Sequence, residues 1–122
     1  MNSTTALRIA AIMGFLAVAL GAFGAHGLKA TFLENGQGHN WETAAHYQLV
    51  HAVVLLVLAT RSTVARLPFL LFTAGVAIFS GSLYVLAVTN MKWLGAITPI
   101  GGVCLIAGWL TLACCPRSTA VS

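Results

Sequence analysis

Acidic residues are nearly missing from this sequence: Glu34 and Glu42 are the only two among 122 positions. With six lysines and arginines they make 7% of the chain charged, whereas a soluble domain carries roughly 25% to keep its surface hydrated. Eight charged side chains cannot solvate the outside of one compact domain of this length, so the outside is expected to be lipid. The shortage of acid excludes more. Small proton-coupled exporters need a carboxylate inside a span, and no apolar run here holds one in its interior. A phosphate loop, a zinc-protease helix motif and a nucleophile elbow are also missing. Ser80-Gly81-Ser82 supplies hydroxyls with no base partner in sequence and reads as packing. No enzymatic activity and no cofactor are expected.

Cysteine is scarce too, and its placement excludes a secreted disulfide framework. Cys104, Cys114 and Cys115 all fall in the last apolar run, none in a polar loop. Cys114-Cys115-Pro116 offers vicinal thiols for a soft metal ion, but a thiol relay needs a second stop, and Cys104 alone is a poor one. Basic clusters with interleaved aromatics are lacking as well. The cations Arg8, Lys29, Arg61, Arg66, Lys92 and Arg117 stand singly between or outside the apolar runs. That spacing suits contact with lipid headgroups and argues against nucleic acid.

What is present is hydrophobic: 59% of the residues, gathered into four long runs. A helix crossing hydrocarbon needs ~20 apolar residues at ~1.5 Å each. The runs predict spans at approximately 7–28, 42–61, 66–89 and 93–115 in a single domain covering 1–122. An alternating barrel pattern is missing. The expected fold is an all-α integral membrane bundle of four transmembrane helices. The first run also carries a small-residue site at Ala22-Phe23-Gly24, as a signal peptide would. Its single basic residue, Arg8, and its continuation at helix-packing spacing favour a retained span. Arg8, Arg61, Arg66 and Arg117 fall on one side and Lys29 and Lys92 on the other, which places both termini in the cytoplasm. Trp41 and Trp93 then mark the outer interface. The connection from Lys29 to Asn40 reads as a turn-prone loop, with Asn40 capping the second span and Glu42 at its positive end.

Lipid removes the hydrophobic drive between helices, so small residues must let them approach. Ala10, Gly14, Ala17, Gly21 and Ala25, with Gly24 alongside, form such a stripe in the first span. Ala77 and Gly81 are expected to serve the third, and Gly95, Gly101, Gly102 and Gly108 the fourth. Pro99 either kinks the fourth helix or begins it with Thr98 as the cap.

Ionisable groups within spans are the places to look for chemistry. His26 and His46 are expected near the outer surface, and His51 lies nine residues past Glu42, ~13.5 Å deeper. Glu42 and His46 are one turn apart, as are Tyr47 and His51, whereas His46 and His51 point ~140° apart. A metal site would require His26 beside His46 and Glu42. The plainer expectation is neutral histidines hydrogen-bonding between helices. A polar intramembrane cluster of His26, Tyr47, His51, Tyr84 and Thr98 is the candidate lining of a pathway.

Several stretches together resemble a known family. Gly21-Ala22-Phe23-Gly24-Ala25-His26-Gly27-Leu28 is similar to the first signature of the YgdD-type membrane proteins, family four-two-three of the domains of unknown function. That family includes a small eukaryotic transmembrane relative. Trp41-Glu42-Thr43-Ala44 with Tyr47 and His51-Ala52 resembles the second signature. Phe79-Ser80-Gly81-Ser82-Leu83-Tyr84 resembles the third. Leu94 to Gly102 with Gly108-Trp109 resembles the fourth. The resemblance implies four transmembrane helices and a bacterial inner-membrane location, and it implies no activity. His26, Tyr47, His51, Tyr84, Thr98 and Pro99 fall inside these motifs, and Cys114 and Cys115 fall outside. The leading expectation is a structural or accessory membrane protein, associating with itself or a larger complex. The competing one is a small transporter or channel for a proton, metal ion or small solute.

Overall fold

A computed structural model of the protein describes residues 1–114. Every regular element in it is helical: α1 (Ser3–His26), α2 (Lys29–Asn35), α3 (Gly38–Ala59), α4 (Arg66–Thr89), a 3-10 helix (Lys92–Ala96) and α5 (Thr98–Cys114). Four stretches are long and apolar enough to cross a membrane: Ser3–His26, Gly38–Ala59, Arg66–Thr89 and Lys92–Cys114. Arg117, Cys115 and Pro116, used above for topology and thiol chemistry, lie outside the described residues.

The helix ends follow local chemistry. Asn2 caps α1, its Oδ1 accepting from the Thr5 N–H at 2.8 Å. Gly36 stops α2 and Asn90 stops α4, both in the left-handed conformation at φ 70° and 57°. Glycine and asparagine are the residues that tolerate it most readily.

Two readings of the first connection are corrected. Lys29–Asn40 is no open loop, because α2 occupies its first half. Seven residues do not hold a helix alone. Tertiary anchors hold this one: the Phe32 ring lies 5.7 Å from that of Trp41, and Asn35 Nδ2 donates to the Ala87 carbonyl at 2.9 Å. Asn40 is not a cap either. α3 begins at Gly38, and Asn40 is already inside it, bonded back to Gln37 Oε1.

α1 packs on α3, α3 on α4, and α4 on α5. The helices therefore stand in the order α1, α3, α4, α5, with the two inner ones more buried, 44% of each span against 17% for the outer two. Large apolar side chains such as Phe15, Val18, Val103 and Ile106 point outward from the middle of the outer helices. Water would not accept that surface, and lipid does.

The α1 stripe packs as expected except at Ala25, which is exposed. Ala10, Ala17 and Gly24 are buried at seven-residue spacing, joined by Ala6, and a Cβ on Gly14 or Gly21 would reach ordinary contact distance of Ala52 or Ala45 of α3. The α4 stripe is corrected: Ala77 is exposed, and a Cβ on Gly81 would touch nothing. The buried small residue of α4 is Gly75, which faces Leu105 and Gly101 of α5. Small side chains face lipid as readily as helices, so spacing alone cannot assign them. An apolar core of Ala6, Ala10, Leu55, Leu58, Phe69, Phe72, Val76 and Leu105 fills the half nearer Arg8, Arg61 and Arg66.

Candidate functional site

The other half of the bundle is polar inside. Trp41, Ala44, Gln48, His51, Ala52 and Leu55 recur every three or four residues and form the buried stripe of α3. Three of them are polar, and each is bonded to at least one neighbouring helix. Trp41 Nε1 donates to the Leu20 carbonyl of α1 at 2.7 Å. Gln48 Nε2 donates to the Met13 carbonyl of α1 at 2.9 Å, while Gln48 Oε1 accepts from the Tyr84 hydroxyl of α4 at 2.7 Å. Gln48 thus ties three helices together. His51 Nδ1 lies 2.8 Å from the Tyr47 carbonyl, and its Nε2 lies 3.2 Å from Trp109 Nε1 of α5. An indole N–H only donates, so Nε2 is the acceptor and Nδ1 carries the proton that goes to Tyr47.

The remaining contacts follow the same plan. Ser80 Oγ of α4 donates to the Ala44 carbonyl at 2.7 Å, and Ser82 Oγ pairs with Thr98 Oγ1 of α5 at 2.6 Å. A hydroxyl held by a peptide carbonyl is not activated as a nucleophile, which requires a base. No buried side-chain nitrogen or oxygen among the described residues lacks a partner. In hydrocarbon an orphaned polar group has no water to turn to, so complete pairing is what lets these residues be inside.

Of the two alternatives for Pro99, a helix that begins there is the nearer, because α5 starts one residue before it. Pro99 is the second residue of α5, after a 3-10 turn, and Thr98 does not cap the helix. The Thr98 hydroxyl instead turns back to the Leu94 carbonyl at 3.3 Å and across to Ser82, helping satisfy the backbone freed at the break.

The five residues singled out as one polar cluster do not form one. Tyr84 belongs with Gln48 and with Trp41, whose ring centroid is 4.7 Å away. His51 belongs with Tyr47, Phe72 and Trp109. Thr98 belongs with Ser82, and His26 is exposed at the end of α1. Glu42 and His46 are exposed on α3, and no group of three histidine, cysteine or acidic side chains converges among the described residues. The metal set of His26, His46 and Glu42 is therefore not assembled within the described chain. Cys104 is half-buried and Cys114 exposed. Trp41 is 6% exposed, its ring turned into the bundle and seated where Gly24 has no side chain. Trp93, by contrast, is 61% exposed.

Gln48 and Trp109 were missed. Gln48 had a signal: an amide on the apolar stripe of a span must find a partner on a neighbouring helix. Trp109 had none, because its pairing crosses 58 residues. Clefts flank this region, and two of them touch the residues singled out above. One of about 170 Å³ is lined by His46, Tyr47, Val50 and His51, and one of about 240 Å³ includes Phe32, Trp41 and Glu42.

Residues 20–102 match the model of a family described as "Protein of unknown function (DUF423)". The chain belongs to the DUF423 family. The DUF423 match spans most of the bonds just described, from the Leu20 carbonyl to Thr98, and leaves Met13 and Trp109 outside. Similar proteins include the UPF0382 inner membrane protein YgdD of Escherichia coli (strain K12), 42% identical, with 89% of this chain and 86% of that one aligned. Also similar are the UPF0382 membrane proteins YwdK of Bacillus subtilis (strain 168), 42% identical over 85% of this chain and 89% of its own, and SH2409 of Staphylococcus haemolyticus, 44% identical over 85% and 88%. No solved structure matches the chain. Four candidate spans and relatives named for a membrane location agree: this DUF423 member is a multi-pass protein of the cell membrane.

Proposed function

We propose that the protein is a non-enzymatic accessory component of the membrane, a hydrogen-bonded four-span unit that packs beside further copies of itself or a larger membrane complex. Both termini face the cytoplasm in this reading, following the arginine bias. One observation carries it. The polar side chains inside the spans are already engaged with one another across helices, with Gln48, Tyr84, His51, Ser80, Ser82 and Thr98 each holding a neighbouring helix. A conduction path needs polar groups turned toward a hydrated passage, where they replace the water shell of what passes. Groups consumed as fasteners leave that passage unlined.

A specific feature favours the second reading, a small transporter for a proton, metal ion or small solute: the cleft of about 170 Å³ beside His51. Cysteine accessibility separates the two. In a variant whose native cysteines are replaced, Ala52→Cys and Thr98→Cys are expected to resist a membrane-impermeant maleimide, while Glu34→Cys reacts from outside the cell. Labelling of Ala52→Cys at a rate near that of Glu34→Cys would replace the accessory role with a water-filled pathway.

A further inference from the structure

At the end of the bundle that carries Lys29 and Lys92, a groove of about 240 Å³ lies between α1, α2 and α3. Gly21, Gly24, Phe32, Trp41, Glu42 and Ala45 line it. Two of these residues are not explained by the bundle's own packing. Gly24 is explained, because a Cβ there would enter the Trp41 indole. Gly21 is different: its Cβ would stand 3.8 Å from that of Ala45, an ordinary contact. A helix-interior glycine is less stable than alanine, so a glycine that packing does not demand leaves room for something else. The second residue is Glu42. The nearby hydrogen bonds, Trp41 to Leu20, Asn40 to Gln37 and Asn35 to Ala87, do not use its carboxylate. An ionised carboxylate beside hydrocarbon calls for a positive partner.

Depth and chemistry narrow that partner. Glu42 lies four residues into α3, ~6 Å along the helix from Gly38. That is near one end of the span, not its middle. Next to it, the Phe32 and Trp41 rings stand 5.7 Å apart. Aromatic faces beside a carboxylate attract an ammonium group through the ring quadrupole and through charge-assisted hydrogen bonds. A glycerol headgroup offers Glu42 only neutral hydroxyl donors, and the net negative charge of its phosphate is repelled there. We propose that this groove binds the ammonium headgroup of a zwitterionic phospholipid, phosphatidylethanolamine in the test below. The ammonium sits on Glu42 against the Phe32–Trp41 pair, and the adjoining chain lies along the Gly21–Ala45 floor.

Native mass spectrometry of the whole protein, released from detergent with phosphatidylethanolamine and phosphatidylglycerol at equal amounts, tests it. Retention of phosphatidylethanolamine about tenfold over phosphatidylglycerol is expected, equivalent to about 1.4 kcal/mol. Glu42→Gln, at an exposed position, is expected to fold and to lose the preference. Gly21→Leu, which fills the floor, is expected to reduce retention of both lipids. Soluble phosphoethanolamine in excess is expected to leave the lipid bound. Equal retention of the two lipids, or an unchanged preference in Glu42→Gln, overturns the proposal. Displacement of the lipid by that excess of soluble phosphoethanolamine overturns the lipid in favour of a free amine. A dimer mass with no bound lipid assigns the groove to a second copy of the chain instead.

Discussion

Replacing Gly101 with alanine is expected to destabilise the bundle by about 2–3 kcal/mol, the cost of overpacking a site that cannot yield. The same change at the adjacent Gly102 is expected to be nearly neutral. A Cβ on Gly101 would fall on main-chain atoms of α4, within 2.8 Å of the Gly75 carbonyl oxygen and of Phe79 Cα. Helix backbone has no rotamer to offer, so α4 and α5 must separate. Separation also loosens the Gly108–Phe72 contact and the Ser82–Thr98 bond, which belong to the same interface. At Gly102 the nearest atom is Phe79 Cδ2 at 3.8 Å, ordinary contact distance. Unfolding curves of the two variants in one detergent, followed by circular dichroism, give the comparison. Equal stability of Gly101→Ala and Gly102→Ala would mean that α4 and α5 are not packed this closely.

Gln48→Leu is expected to cost about 1–2 kcal/mol, more than Tyr84→Phe at about 0.6 kcal/mol, the average for one interhelical hydrogen bond in a membrane protein. The asymmetry follows from wiring. Tyr84→Phe removes one bond and leaves Gln48 Oε1 without its donor, whereas Gln48→Leu removes that bond and the one to Met13 and strands the Tyr84 hydroxyl. A buried donor without an acceptor is worse than no donor at all. In the double variant that penalty disappears, so Gln48→Leu with Tyr84→Phe is expected to be less destabilised than the sum of the singles. The cycle reads that coupling directly. Strict additivity would show that the two side chains do not meet.

The spans were legible because hydrocarbon imposes a minimum length and excludes charge, and both constraints act residue by residue. The same holds for the break at Thr98-Pro99, since proline acts on its own helix. Legibility stopped where a residue's role depends on what arrives from elsewhere. α2 is invisible in the local pattern because Trp41 and Ala87 hold it from a distance. The burial of the Trp41 ring depends on the notch at Gly24, on another helix. Ala77 and Gly81 read as a packing stripe, yet lipid accepts the same side chains. Tyr47, His51, Tyr84 and Thr98 were legible one by one as polar residues of the spans, and Gln48 was not. Their division into separate fasteners, Tyr84 with Gln48, His51 with Trp109 and Thr98 with Ser82, is a property of the assembled bundle.

Nitrogen-15 NMR of the His51 side chain in the full-length protein in lipid bears most directly on whether the span interior is fastened and dry. One tautomer is expected, with the proton on Nδ1 and exchanging slowly with water, because both ring nitrogens are committed to Tyr47 and Trp109. A mixture of tautomers whose ring proton exchanges rapidly with bulk water would contradict this, and would turn His51 from a fastener into a group on a hydrated path.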